Sequence, residues 1–216
     1  MSSPTLLTAL SVPAASKPVS QAIVSAEPLS SSTRAIRTAL FCTLAFSGAA
    51  LDLATKHYIF AWRTWDQFHE AWWIIEEHLG VQTSVNPGAL FGLGAGYTWG
   101  FVALSFLALA VITYFVFLRP RMLDSWLTVA VGLVTGGILG NLYDRLGLWR
   151  GDVPDFVGSG VRDWILVQFR GVPFFDPWPN FNIADCCLVV GACMLAIHSL
   201  RAEPGDATNA KQAIVG

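Results

Sequence analysis

The 216-residue chain is 54% hydrophobic and only 13% charged, with nine Trp and a net charge of -2. Soluble domains carry about 25% charged residues, so a water-soluble globular fold is excluded and lipid is the expected solvent. The near-neutral charge gives no basic field for nucleic acid, and none is expected as a partner.

In chain order, residues 1–35 are rich in Ser, Ala and Pro and read as a disordered tail. No Lys or Arg precedes Lys17, and Pro4 and Pro13 flank the apolar patch, so no secretory signal peptide is expected. A first span runs from Thr38 to Phe60 and carries Asp52 and Lys56 near its far end. Four residues apart, they share a helix face in the favourable order for an ion pair. The pair reads either as a structural bridge at a helix end or as a device that orients a loop or substrate. Next come two short strand candidates, Trp72–Ile75 and Val81–Val85, bounded by polar and Gly positions. The string Asn86-Pro87-Gly88-Ala89-Leu90-Phe91-Gly92 follows as a turn that re-enters the apolar region.

The second span, Tyr97 to Leu118, is apolar throughout and ends at Arg119-Pro120-Arg121; the third covers Trp126 to about Tyr143. The fourth runs from Phe181 to Leu200, and residues 201–216 form a second polar tail. Each span approaches the roughly 20 residues that a helix needs to cross the hydrocarbon core. Arg34, Arg37, Arg119, Arg121 and Arg201 place both termini and the middle loop in the cytoplasm. Arg150, Arg162 and Arg170, in the second outer loop, oppose that bias.

Cys42, Cys186, Cys187 and Cys193 fall within spans and read as small core hydrophobes. With His57, His69, His78 and His198 scattered, no metal site or cofactor is expected. The polar residues on the spans carry more information, because ionisable groups in a membrane need a partner, a wet cavity or the headgroup region. Gly137, Asn141 and Arg145 recur every four residues, a stripe of no side chain, amide and guanidinium, and Asp144 flanks it. The glycines also suit plain helix packing. Asp163 precedes the last span, and Asp185 opens it three residues after Asn182, on the same helical face. Two carboxylates at a membrane edge point to proton-transfer chemistry.

Five strings together resemble, in order, the motif set of the lipoprotein signal peptidases, or signal peptidase II: Asp52-Leu53-Ala54-Thr55-Lys56, Asn86-Pro87-Gly88-Ala89-Leu90-Phe91, Gly136 to Arg145, Val161-Arg162-Asp163-Trp164-Ile165 and Phe181-Asn182-Ile183-Ala184-Asp185. The resemblance covers residues 36–200. It implies an all-α membrane protein of four transmembrane helices with a small extracytoplasmic β-sheet cradle, in the bacterial inner membrane, with its active site near the outer face. It further implies an aspartyl endopeptidase without metal or cofactor that cuts diacylglyceryl-modified prolipoproteins just before the lipidated Cys. The catalytic pair would be Asp163 and Asp185, supported by Asp52, Lys56, Asn86, Gly137, Asn141, Asp144, Arg145 and Asn182. Membrane lipids are the other expected partner, and a monomer is the expected state.

Two departures stand out. The stretch between Arg145 and Asp163 is long and contains Asp155, which competes for the first catalytic role. Asp163 is preferred because Trp164-Ile165-Leu166-Val167 continues the pattern. Arg162 stands where the family more often has an apolar residue; it would hold Asp163 ionised unless it points into solvent. The alternative from another class is a small proton-coupled transporter, whose acids would line a path across the membrane.

Overall fold

A computed structural model describes residues 30–88, 93–120, 124–150, 154, 159–173, 175–176 and 178–201. Among the described residues, four helices are long and apolar enough to cross a membrane. Helix α1 spans Ser31–Trp62, α2 spans Thr98–Thr113 and continues as a π-helical turn over Tyr114–Leu118, α3 spans Ser125–Arg145, and α4 spans Ile183–Arg201. Three strands, β1 (Trp72–Ile75), β2 (Leu79–Asn86) and β3 (Val161–Val167), form one antiparallel sheet in that order.

Helix α1 starts earlier than the apolar run implies. The Ser30 hydroxyl accepts from the Thr33 N–H and caps it, so residues 31–35, expected in the tail, are helical. At about 1.5 Å per residue the helix is some 48 Å long, well beyond a hydrocarbon core of about 30 Å. The remaining tail residues, 1–29 and 202–216, lie outside the described part, as do residues 89–92 of the expected re-entrant turn.

Helix α3 is the centre of the bundle and the most buried span. Glycines make this possible. A Cβ on Gly132 would sit 3.0 Å from Leu44, and one on Gly136 3.0 Å from the Ala45 carbonyl. These positions, with Gly140, form a bare stripe at four-residue spacing against α1. On another face, a Cβ on Gly137 would lie 2.5 Å from the Ala184 carbonyl of α4, and Gly191 of α4 lies as tightly against Ala130 and Val134. With lipid on the outside there is no water-driven force between helices, so close backbone approach supplies the attraction. Helix α3 stops where Gly147 turns left-handed at φ 72. The Leu148 and Gly147 N–H groups then donate to the Tyr143 and Asp144 carbonyls, a Schellman ending.

The sheet crosses the end of the bundle where α1 and α3 finish and α4 begins. Its β1–β2 hairpin comes from the two expected strands. Strand β3 was not expected as a strand, because its partner lies about eighty residues upstream: Asp163 pairs with Ser84 and Val161 with Asn86. It is tied to the start of α4, since the backbones of Ile165 and Phe181, two residues before that helix, bridge. That link fixes the sheet to the site described below.

The glycine contacts give a direct test. Gly137→Ala is expected to destabilise the detergent-solubilised protein by about 1–3 kcal/mol through overpacking, read as a lowered unfolding midpoint. Gly100→Ala, on α2 with nothing nearer than 3.9 Å to the added Cβ, is expected to leave the midpoint unchanged or slightly raised. Equal effects would show that α3 and α4 are not in backbone contact at Gly137.

Candidate active site

The first turn of α4 is built around its own cap. The Asn182 side-chain oxygen accepts from the Asp185 N–H at 2.8 Å, and an Asp185 carboxylate oxygen accepts from the Asn182 N–H at 3.2 Å. This is the reciprocal arrangement of a capping box. It uses two helix-end donors and fixes both side chains in the act of starting the helix. A third donor, the Ala184 N–H, goes to Asp52 of α1 at 2.9 Å. Asp185 also accepts 2.8 Å from the Asn141 amide of α3.

Asn182 then reaches across to β3. Its amide donates to an Asp163 oxygen at 2.6 Å, and Asn86, at the end of β2, supplies a further side-chain hydrogen bond to Asp163. One asparagine thus touches both carboxylates, Asp163 through its side chain and Asp185 through the cap. Asp163 is only 2% exposed. Burial first, and the nearby charge of Asp185 second, push its carboxyl up to about 8, since both disfavour the ionised form.

Successive side chains on a strand point to opposite faces, so Arg162 faces away from Asp163. Its guanidinium forks onto Asp144 at 2.8 and 3.0 Å. The expectation that Arg162 would hold Asp163 ionised or turn to solvent is therefore corrected: it is buried and spent on Asp144. Asp144 also meets Lys56 at 3.1 Å, and Lys56 meets Asp52 at 2.7 Å and the Asn141 oxygen at 3.0 Å. Four charges alternate in a row, Asp52, Lys56, Asp144 and Arg162, and cancel. Buried ions are tolerated only in such compensated sets.

These groups stand behind one wall of a cavity of about 500 Å³. Asn86, Asn141, Arg145, Asp163 and Asp185 line its polar end, while Leu188 and Val189 of α4 extend it along an apolar flank. Arg145 is held in place by the Gly88 carbonyl at 3.2 Å and by the Phe101 ring 5.1 Å below its guanidinium. The space therefore combines hydrogen-bonding groups and two carboxylates with a surface that suits a hydrocarbon chain.

Most of the sequence-derived candidates converge here, with different tasks. Asp52, Lys56 and Asp144 lie behind the lining rather than in it. Gly137, expected to share a face with Asn141 and Arg145, does not line the cavity; it packs on Ala184 and Leu188 of α4, the helix that Asn141 also reaches through Asp185. Asp155 lies outside the described residues. Sequence reasoning missed Asn180 and Trp178, which also line the space. The Asn180 amide donates to the Gln82 carbonyl at 2.9 Å and to the Ser84 hydroxyl at 3.2 Å. A lone amide between Pro179 and Phe181, just ahead of the Asn182 string, was the available signal. A proton-coupled transporter would spread its acids along the spans, whereas here Asp52, Asp144, Asp163 and Asp185 collect at one end of the bundle.

The family model described as "Signal peptidase (SPase) II" matches residues 44–201. The lipoprotein signal peptidase of Rhodopirellula baltica is 51% identical over 164 residues, covering 76% of this chain and 72% of that one. The lipoprotein signal peptidase of Symbiobacterium thermophilum is 35% identical over 164 residues, 76% of this chain and 96% of its own. The fold is shared with two solved structures described as bacterial membrane enzymes. One has a TM-score of 0.60 at 24% identity, covering 76% of this chain and 88% of that one. The other has a TM-score of 0.57 at 27% identity, covering 76% and 95%. This chain belongs to the signal peptidase II family, bacterial membrane peptidases that remove signal peptides from prolipoproteins.

Proposed function

We propose that the chain is an aspartyl endopeptidase that cuts diacylglyceryl-modified prolipoproteins immediately before the lipidated Cys, with Asp163 and Asp185 as the catalytic pair. The observation that carries this reading is the asparagine that contacts both carboxylates at the polar end of a cavity with an apolar flank. Two carboxylates held this way share one proton, because ionising both is costly. Burial of Asp163 favours the protonated form of its carboxyl.

The ionised carboxylate removes a proton from water as the water oxygen bonds to the scissile carbonyl carbon. The protonated carboxyl donates to the carbonyl oxygen and gives a tetrahedral diol. Collapse returns a proton to the amide nitrogen, breaks the C–N bond, and leaves a carboxyl on the signal peptide and a free amine on the Cys. No covalent enzyme intermediate forms. Asn141 and Arg145 face the same space and suit substrate carbonyl or lipid ester oxygens, and the Leu188 and Val189 flank suits the acyl chains. Arginines beside spans α1 and α4 favour cytoplasmic termini, which puts the sheet and the dyad at the outer membrane edge, where the signal helix of the substrate ends.

Asp163→Asn and Asp185→Asn are each expected to lower cleavage by more than about 100-fold while keeping the parent unfolding midpoint in detergent. Near-normal turnover by either would sink the dyad. Asp155→Asn is expected to keep most of the activity.

The proton on Asp163 also sets a pH limit. A carboxyl raised to about 8 keeps its proton below that pH and loses it above. kcat/KM is therefore expected to fall as pH rises through about 8, roughly tenfold per unit once the proton is gone. A flat profile from pH 7 to 10 would contradict a shared-proton site.

Matched precursor peptides with and without the diacylglyceryl group test the substrate. Each buried methylene contributes about 0.8 kcal/mol, so the two chains anchor the Cys at the depth of the dyad, and the unlipidated peptide is expected to be cut far more slowly. Equal rates on both would leave a general membrane aspartyl peptidase as the better description.

A further inference from the structure

Arg162 adjoins a proposed catalytic residue and does not touch the cavity. Its guanidinium is closed in by the Trp149 ring at 5.0 Å and the Phe60 ring at 5.8 Å. Beyond the fork onto one Asp144 oxygen, its own backbone N–H donates to the other oxygen at 2.9 Å. Asp144 therefore grips the side chain and the main chain of a single residue with both oxygens. Two guanidinium N–H groups on one oxygen and the backbone N–H on the other fix direction as well as distance. Along this stretch the other edge of β3 is held by β2, with Arg162 opposite Val85 and Asp163 opposite Ser84.

We propose that Arg162 is a positioning residue for Asp163: its clamp on Asp144 pins β3 to the end of α3, aims the next side chain into the cavity, and keeps the guanidinium charge neutralised on the far face of the strand. The inference rests on the reading of Asp163 and Asp185 as the catalytic pair. Among the described residues, the groups that face or act on Asp163 are Asp185 from α4, Lys56 from α1, Arg145 from α3, and the amides of Asn182 and Asn86. Behind them the row Asp52, Lys56, Asp144 and Arg162 is neutral only with all four members present.

Two substitutions unbalance that row in opposite senses. Arg162→Met leaves a net negative charge, which makes Asp163 hold its proton more tightly. Asp144→Asn leaves a net positive charge, which makes it release the proton sooner. A residue that merely supports the fold would lower activity in both variants and leave the pH profile in place.

The experiment measures kcat, KM and the alkaline limb on the lipidated precursor, in detergent, for the parent and for Arg162→Met, Arg162→Lys, Asp144→Asn and Asp163→Asn. Misplacing a reacting group by about 1 Å costs on the order of 100-fold in rate, so Arg162→Met is expected to lose kcat on that scale with KM little changed. Its alkaline limb is expected to move up by about one pH unit and that of Asp144→Asn to move down by about as much. Arg162→Lys keeps the charge but not the fork, so it is expected to lose kcat by about 10-fold with the limb unmoved. Parent-like kcat in Arg162→Met or in Arg162→Lys overturns the positioning role. Limbs that stay put, or move the same way, in Arg162→Met and Asp144→Asn overturn the charge role. Where a charge-removing variant does not fold, Arg162→Lys still decides the positioning role. Near-normal turnover by Asp163→Asn would instead remove the catalytic reading, and this inference with it, whatever the Arg162 variants do.

Discussion

A buried charge must be compensated where it lies, and that requirement organises this protein. At one end of a bundle otherwise built from apolar helices, Asp144 sits with 1% exposure between Lys56 and Arg162. Lys56 comes from α1, Asp144 from α3, and Arg162 from β3. Removing one partner from such a set leaves an ion in a low-dielectric surrounding at a cost of about 3–5 kcal/mol. The three parts of the chain are thereby held in one arrangement, which packing of small residues between helices specifies less sharply.

The helix cap of α4 uses the same logic at smaller scale. The first N–H groups of a helix need acceptors, and here those acceptors are the Asn182 amide, Asp185 itself and Asp52 from a different helix. Satisfying the helix end is the same event as placing two members of the site. Asn182 has no exposed surface, and each polar atom of its amide is used, so its orientation is set by its neighbours rather than by choice of rotamer. A site held this way needs no movement of protein dipoles at the moment of reaction.

The glycines of α3 and the sheet serve that end of the bundle from two directions. Without Cβ atoms at Gly132, Gly136 and Gly137, α3 lies close enough to α1 and α4 for Asn141 to reach Lys56 and Asp185 at once. The sheet closes the space from the other side, and the amide of Asn180 ties the segment before α4 to β2. The resulting cavity is polar where chain ends meet and apolar along α4.

Much of this was legible in the chain itself. Four apolar runs of membrane length determined the class, because no water is available in lipid to satisfy backbone groups other than by helix. The β1–β2 hairpin and the polar strings at span ends were local patterns, and the strings alone marked Asp163, Asp185, Asn141 and Asn182 as candidates. The tertiary structure decided the rest. Strand β3 depends on a partner some eighty residues away, and a seven-residue run carrying Arg and Asp has no periodicity that reveals it. The fate of Arg162 turned on which face of that strand it occupied, so it went to Asp144 and not to its neighbour Asp163. Gly137 is covered by α4 rather than open to the cavity, because only the place of α4 determines which part of α3 stays uncovered. Sequence spacing specifies what a residue is able to reach along its own element; which element stands opposite is a property of the assembled fold.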